Sequence, residues 1–229
     1  METSQLAELI KTRRSIRSWT DKPVSQELLS RAIELATHAP NGGNQQNWYF
    51  YVILNKEVIG QIADAVQETS NYIASWPEFA EMGDYAGRFV KGAAFFRSAP
   101  AAIAVAAKPY GYVLEKLSAN RASTDPRAKL IQEGRSISNP RIQSVASATA
   151  YLLLVLHQMG LGAVWMTGPM QAKSAIEKIL GVPKEMDLVA FVPVGYPAEN
   201  PPIKERKPLN EICQVIKYSP EIKNASVVD

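Results

Sequence analysis

The chain has 229 residues and a formal net charge of only +3. This argues against a dedicated nucleic-acid-binding surface, which would concentrate basic residues. With 46% hydrophobic and 21% charged residues, the composition is that of a globular protein and excludes a disordered chain. One cysteine excludes internal disulfides, and two distant histidines provide no metal-ligand spacing, so we predict no metal site. Because there is neither an apolar run of ~20 residues nor a signal-peptide pattern, we expect a cytoplasmic protein without a membrane partner.

Apolar residues at helical or alternating spacing, separated by glycines and prolines, predict a series of helices and strands. In chain order these are a helix ending near residue 11, a helix from Ser25 to about residue 38, a strand over 48–54, a helix over about 57–69, a strand over 101–107, a helix over 141–159, a strand over 163–167, a helix over 174–180 and a strand over 188–194. The stretch 70–98 is less regular, and 109–139 is predicted to be a surface excursion with a short helix near 126–133. Because helices alternate with strands and no repeat appears, the class is α/β or α+β in one domain.

Two segments are too apolar to face solvent. The predicted helix 141–159 is apolar on almost all sides, so it should cross the core or lie in a subunit interface. The tail carries Leu209, Ile212, Val215 and Ile216, so it too should pack against another surface.

The common catalytic motifs are missing. The sequence contains neither a phosphate-binding GxxxxGK[ST] loop nor a GxGxxG dinucleotide motif. It also lacks the GxSxG elbow of an acyl-transfer nucleophile, and neither histidine suggests a catalytic triad. If the protein is an enzyme, a bound organic cofactor is expected to carry the chemistry.

Three polar clusters lie between the predicted elements. Residues 13–17 are Arg-Arg-Ser-Ile-Arg, which suits a terminal phosphate but by spacing alone is more typical of a solvated basic helix end. Residues 39–46 are Ala-Pro-Asn-Gly-Gly-Asn-Gln-Gln, which could let a planar ligand approach the backbone or could simply join a helix to a strand. Residues 204–207 are Lys-Glu-Arg-Lys, which alone are more typical of a solvated turn.

Taken together, the order and spacing of these clusters resemble the nitroreductase family of FMN-dependent oxidoreductases. The motifs that carry the resemblance are Arg13-Arg14-Ser15-Ile16-Arg17, Pro23-Val24, Ala39-Pro40, Asn44, Gln46, Trp48, Gly160-Leu161-Gly162, Trp165, Gly195-Tyr196-Pro197 and Lys204-x-Arg206-x-Pro208-Leu209. They cover nearly the whole chain.

The resemblance implies an α+β fold of three-layer type, with a central, mainly antiparallel sheet flanked by helices, and an intertwined homodimer with its active sites in the interface. Residues 1–229 would form one domain. Within it, 70–98 and 109–140 would be variable lid or insert segments, and 201–229 a C-terminal arm that reaches onto the partner subunit. The apolar helix 141–159 and the apolar tail would then be buried between subunits.

The resemblance also assigns the cofactor-binding residues. Arg13, Arg14, Ser15 and Arg17 would hold the phosphate, ribityl chain and pyrimidine edge of FMN, and Lys204 and Arg206 would close on the phosphate. Pro40, Asn41, Gly42, Asn44 and Gln46 would line the isoalloxazine ring from the partner subunit. Thr167 and Gly168 would lie beside the reactive N5 atom, where a donor would steady hydride transfer.

The implied mechanism is a ping-pong cycle. NADH or NADPH would pass a hydride to flavin N5 and leave, and an electron-poor acceptor such as a nitroaromatic or quinone would then be reduced on the same face. Solvent and the flavin can supply protons, so no catalytic side chain is predicted.

The sequence departs from the family at Asn47, where proline usually precedes the tryptophan, so the strand entry is expected to be looser or to serve another purpose. The variable segment 70–98 contains an aromatic lid candidate, and a packed subdomain explains the same residues equally well. Its aromatic residues are Tyr72, Trp76, Phe79, Tyr85, Phe89, Phe95 and Phe96.

Several activities remain open within the same fold. A reductive dehalogenase of iodotyrosine would use a lid Glu, Tyr and Lys; Glu81 and Tyr85 have suitable spacing, but Ala93 stands where the Lys is expected and Lys91 is two positions away. The resemblance also leaves open the flavin-fragmenting enzyme that makes the lower ligand of cobalamin, a dehydrogenase of azoline-type rings, and a non-catalytic flavin-binding protein. Turnover with NADH or NADPH would separate the last of these from an enzyme.

Overall fold

The computed structural model describes residues 3–111 and 113–216 of the chain. The helices are α1 (Thr3–Thr12), α2 (Gln26–Ala36), α3 (Lys56–Ala74), α4 (Pro77–Ala80), α5 (Asp84–Gly92), α6 (Val113–Arg121), α7 (Pro126–Ser138), α8 (Pro140–Gln158), α9 (Lys173–Leu180) and α10 (Leu209–Ile212). The strands are β1 (Trp48–Ile53), β2 (Ala101–Ala107), β3 (Gly162–Ala163) and β4 (Asp187–Gly195). Short 3₁₀ turns span Gly42–Asn44, Phe95–Ser98 and Gly168–Ala172.

The four strands form one sheet in the order β1-β2-β4-β3, and each neighbouring pair is antiparallel. β1 and β2 pair over their whole lengths, from Trp48 opposite Ala107 to Ile53 opposite Ala102. The antiparallel pairing confirms the predicted α+β class and rules out the parallel sheet of an α/β protein.

The central strand β2 explains the three-layer arrangement, because every one of its residues is buried. Successive side chains of a strand point to opposite faces. Ile103 and Val105 therefore pack with α2 and α8, whereas Ala102 and Ala104 pack with α3 and α9 on the other face. The small alanines allow the helices to approach the sheet closely.

Local sequence signals account for most element boundaries. The Ser25 side chain accepts a hydrogen bond from the Leu28 amide and caps α2, as predicted. Asn55 and Asp125 cap α3 and α7 in the same way. α9 ends at Gly181, whose φ of 64° is left-handed and favours glycine.

The structure differs from the predicted elements in several places. The helix predicted to end at residue 69 continues to Ala74, because the buried Ser70 keeps its face against the protein. The stretches 70–98 and 109–139, predicted to be irregular or mostly loop, also contain α4, α5 and α6. The short helix predicted near 126–133 is confirmed as α7, which continues to Ser138. The strand predicted over 163–167 pairs continuously only at Gly162–Ala163, although Met166 keeps the same register opposite Phe191.

Candidate functional site

The basic connector 13–17 lies along the sheet edge. Ser15 forms a parallel bridge with Ala163, and the Ile16 amide donates to the Ala163 carbonyl at 3.1 Å. The buried Trp19 indole donates to the Gly162 carbonyl at 2.8 Å. A Cβ on Gly162 would lie 2.7 Å from the Ile16 side chain, so this close approach requires glycine. Backbone contacts, rather than side-chain packing alone, therefore fix the connector.

The segment after β4 is held against the same connector. The Thr20 amide donates to the Tyr196 carbonyl at 2.9 Å, and the Ala198 amide donates to the Ser18 carbonyl at 3.0 Å. The Glu199 carboxylate accepts from the amides of Arg17 and Ser18. These contacts bring residues 201–206 to the arginines although almost the whole chain separates them in sequence.

The two segments enclose a cavity of about 190 Å³, here called the cationic pocket. Its lining residues are Arg13, Arg14, Ser15, Arg17, Pro201, Pro202, Lys204 and Arg206. The structure thus brings together the six residues that were predicted to hold the phosphate, ribityl chain and pyrimidine edge of FMN. Among the described residues, the lining contains five cations and no carboxylate, so the pocket is suited to an anion.

The cationic pocket carries positive charge and buried hydrogen-bond donors that the described residues do not balance. Burial, followed by repulsion from Arg14 and Arg206, holds the pKa of Arg13 below its ordinary value. Arg14 donates through Nη1 to the carbonyls of Lys11 and Arg13, at 2.7 and 2.6 Å. Its Nε and Nη2 atoms are buried, and no residue of 3–111 or 113–216 accepts a hydrogen bond from them. A phosphate group would supply both the missing acceptors and the missing negative charge, so the residues fit the phosphate end of FMN.

His157 adjoins the cationic pocket, and the sequence analysis gave it no role. Its Nε2 atom lies 3.0 Å from the Thr12 hydroxyl, and burial together with Arg13 and Arg14 lowers its pKa. The last turn of α8 brings it there. No local motif could have shown this contact, because His157 and Thr12 are 145 residues apart.

The loop containing Pro40, Asn41, Gly42, Asn44 and Gln46 does not line the cationic pocket. The Asn41 carboxamide accepts from the Gln46 amide at 3.0 Å, and Asn44 and Gln46 have positive φ angles of 51° and 47°. The loop contacts the beginning of α8 instead, where the Ser147 hydroxyl donates to the Pro40 carbonyl at 2.6 Å. Its predicted role in the partner's flavin site remains a prediction.

The same loop contacts the segment just after β2. Gln45 exchanges two hydrogen bonds of 3.0 Å with the backbone of Gly111, and a Cβ on Gly42 would collide with the Tyr110 hydroxyl. Asn47, where the resembled family has proline, is buried and donates to the Arg141 carbonyl at 3.0 Å. This asparagine therefore ties the strand entry to α8, rather than loosening it.

Thr167 and Gly168 are exposed at the far end of the extended segment that begins beside Ser15. Gly168 lines a second cavity of about 240 Å³, here called the lateral cavity, which does not include Thr167. The backbone keeps its register opposite β4 as far as Met166 and turns at Thr167, whose φ and ψ are -108° and -18°. The five residue steps from Ala163 to Gly168 therefore span less than the roughly 16 Å of a fully extended strand. The predicted phosphate and N5 contacts thus lie in separate cavities joined by one stretch of backbone.

The aromatic residues of 70–98 divide into two groups. Phe96 is fully buried, with its ring 4.8 Å from that of Phe191, and Phe95 packs on Trp19, so neither belongs to a lid. The other five are less buried and form two clusters. Tyr72 contacts Trp76 in one cluster, and Phe79, Tyr85 and Phe89 contact each other in the second.

Within residues 3–111 and 113–216, no group of three His, Cys, Asp or Glu side chains could hold a metal ion. In the same residues, no helix is long and apolar enough to cross a membrane.

Comparisons with known proteins agree with this geometry. A Methanothermobacter thermautotrophicus protein with the provisional name NADH dehydrogenase/NAD(P)H nitroreductase is 29% identical over 197 residues, which cover 85% of this chain and 78% of the relative. A BluB-like flavoprotein from Clostridium difficile 630 has a similar structure, with a TM-score of 0.80, 32% identity and coverage of 95% of this chain and 100% of that chain. An iodotyrosine deiodinase bound to FMN and 3-iodo-L-tyrosine shares the fold, with a TM-score of 0.67, 23% identity and coverage of 94% and 99%. The model of the Nitroreductase family matches residues 10–196. The chain therefore belongs to the nitroreductase family.

Proposed function

We propose that the protein is an FMN-dependent oxidoreductase that uses NADH or NADPH to reduce an electron-poor acceptor such as a nitroaromatic or quinone. The cationic pocket is the observation that carries this proposal. Within the described part of the chain, five cations converge there without a lining carboxylate, and two buried nitrogens of Arg14 lack acceptors. Such a site favours a phosphate dianion over a neutral ligand.

The direction of residues 163–168 supports one orientation of the cofactor, with its phosphate in the cationic pocket and its ring system near Gly168. With its phosphate beside Ser15, an extended FMN would run along residues 163–168 and bring its ring system toward Gly168. Gly168 has no atom within 4 Å of the position a Cβ would occupy, so a flat ring can approach the backbone there. In this orientation Arg13 and Arg14 bind the phosphate, Arg17 lies nearer the ring, and Lys204 and Arg206 close the pocket.

When bound, FMN would supply hydride transfer from a reduced nicotinamide to the acceptor. For a nitroaromatic, one NAD(P)H and one proton give a nitroso product, NAD(P)⁺ and water. The chain's own contribution is to bind and orient, and a cationic wall stabilises the negative charge that develops on reduction. The provisional name of the Methanothermobacter relative and the flavin of the Clostridium relative support this class of reaction.

A homodimer is part of the same proposal. Large apolar side chains are exposed on α1, on α8 and along the tail, including Ile10 at 54%, Tyr151 at 42% and Leu209 at 72%. Clustered exposed apolar surface is typical of a protein interface. We expect a second copy of the chain to cover it and to bring its 40–46 loop to the flavin; tail residues beyond 216 lie outside the described structure.

The test is an absorbance spectrum of the purified protein before and after anaerobic addition of NADH or NADPH. Visible flavin bands that bleach, and return when a nitroaromatic or quinone is added, are expected. Flavin bands that persist would favour a non-catalytic binder, and a colourless protein that refuses added FMN would refute the proposal.

Iodotyrosine deiodination is a second candidate, because several relatives carry that name. In the structure Tyr85 packs against Phe79 and Phe89, and Glu81 is exposed just before α5. Iodide release from 3-iodotyrosine, measured beside nitroaromatic reduction with the same reductant, would decide between them. We expect nitroaromatic reduction to be the faster reaction.

A further inference from the structure

The residues that line the lateral cavity beside Gly168 favour one chemical class of ligand. It lies between α3, α5 and the turn after the extended segment. Its lining residues are Val66, Ser70, Arg88, Phe89, Gly92, Ala93, Met166, Gly168, Pro169 and Gln171. At about 240 Å³ it is smaller than the roughly 300–1,000 Å³ typical of sites for drug-sized ligands, so it suits a single-ring compound.

The walls of this cavity are mainly apolar. Val66, Phe89, Met166 and Pro169 present hydrocarbon, ring and thioether surface. Such walls favour a flat organic ring, because burying apolar area is worth roughly 25 cal/mol per Å². Ser70 and Gln171 are neutral, so they do not by themselves select for ligand charge.

Of the described residues that line this cavity, Arg88 is the one that carries a charge, and none is a carboxylate. It projects from α5, a helix that packs against α3, and none of the ion pairs found within residues 3–111 and 113–216 includes it. A guanidinium presents paired N–H donors that match the two oxygens of a carboxylate. An apolar slot with one such cation at its side binds a ring that carries an acidic group better than a neutral ring of the same shape.

We propose that Arg88 makes the protein selective for acceptors that combine a single aromatic ring with a carboxylate. This inference rests on the proposed function: the flavin ring would lie at the mouth of the lateral cavity, beside Gly168, and the cavity itself, which suits one ring, would hold the acceptor. The ring of the acceptor lies among Phe89, Met166 and Pro169, and its carboxylate lies against Arg88. With 4-nitrobenzoate, one NAD(P)H and one proton would give 4-nitrosobenzoate, NAD(P)⁺ and water.

The test compares 4-nitrobenzoate with 4-nitrobenzamide, which keeps the shape and removes the charge. The wild-type protein should show a higher kcat/KM for the benzoate. Arg88→Gln should lower kcat/KM for 4-nitrobenzoate about tenfold, mainly through KM, the loss expected for one charge-assisted hydrogen-bonded pair near solvent. The amide should change less than twofold, and Arg88→Lys should recover part of the loss. Arg31→Gln, an exposed arginine on the opposite helical layer, should leave both acceptors unaffected.

A binding measurement separates this inference from the proposed function. Calorimetric titration of the FMN-containing protein with benzoate and benzamide, neither of which is reduced, should show tighter binding of benzoate in the wild-type protein and no preference in Arg88→Gln. Equal affinities in the wild-type protein, or a preference that survives Arg88→Gln, would overturn the inference whether or not turnover occurs. Loss of turnover with both nitro compounds, together with an Arg88-dependent preference for benzoate, would instead refute the reductase activity and keep Arg88 as an anion-selecting residue.

Discussion

The cationic pocket and the lateral cavity lie at opposite ends of one extended segment and are built differently. The cationic pocket is formed by two connectors, and hydrogen bonds from backbone amides to Ala163, Tyr196 and Glu199 hold them in place. The lateral cavity is formed largely by the faces of α3 and α5, with one charged side chain in its lining. Five cations in one pocket repel each other, so hydrogen bonds to the backbone are needed to hold their segments together. In the cavity between helix faces, by contrast, the substitution of a single side chain can change which ligand binds.

The largest effect should come from removing one of the two connectors. Ending the chain after Asn200 removes Lys204 and Arg206 together with the apolar tail, so the shortened protein should lose bound FMN and its dimeric state. The flavin-to-protein ratio and light scattering after size exclusion measure both properties. Ending the chain after Ile216 is the matched control, because it keeps the pocket cations and should keep FMN. A stable, FMN-loaded dimer without residues 201–229 would contradict the assigned role of the tail.

A single cation of the pocket should have a smaller but clear effect on FMN binding. Arg13→Ala removes one charge-assisted contact, worth about 1.5–3 kcal/mol, so FMN affinity should fall roughly ten- to a hundredfold. Fluorescence titration of the apoprotein with FMN gives the dissociation constant, and riboflavin, which lacks the phosphate, should bind both proteins equally. Unchanged FMN affinity would exclude Arg13 from the phosphate site.

The convergence of these cations was predictable only through the family resemblance. Spacing alone left residues 13–17 open between a phosphate site and a solvated basic helix end, and it favoured a solvated turn for residues 204–207, because nothing local reveals that the two segments meet. The strand 101–107 was predictable from the residues themselves, since a short, continuous apolar run has few other environments. Predictions were poorest where long-range contacts decide, as with Phe96 in the core and the Asn47–Arg141 hydrogen bond.

The contact of Glu199 is another long-range contact that the sequence does not reveal. It also provides a test of whether hydrogen bonds to the backbone hold the cationic pocket together. The Glu199 carboxylate accepts from the amides of Arg17 and Ser18, 181 or more residues away in sequence. Glu199→Ala leaves two amides without their acceptor, so the free energy of unfolding should fall by about 1 kcal/mol in urea titrations. Glu199→Gln keeps an acceptor oxygen and should lose less. Equal losses in the two variants would mean that charge, rather than the hydrogen bonds, provides the stabilisation.

The smallest expected effect is a pH dependence at the border of the cationic pocket. Burial and the charges of Arg13 and Arg14 hold the pKa of His157 below its ordinary value of 6.5. The unfolded chain therefore binds this proton more readily, so the contribution of His157 is complete above about pH 6.5 and is lost as the pH falls through the lower pKa of the folded state.

His157→Gln can keep a contact with Thr12 but cannot take up a proton. In urea titrations between pH 7.5 and 5, the variant should lose less stability than the wild-type apoprotein. Bound FMN should reduce the difference, because a phosphate beside Arg13 offsets the repulsion that lowers the pKa of His157. Identical pH profiles of variant and wild-type apoprotein would show that neither burial nor the arginines lower the pKa of His157. A difference that FMN leaves unchanged would mean that the phosphate binds elsewhere.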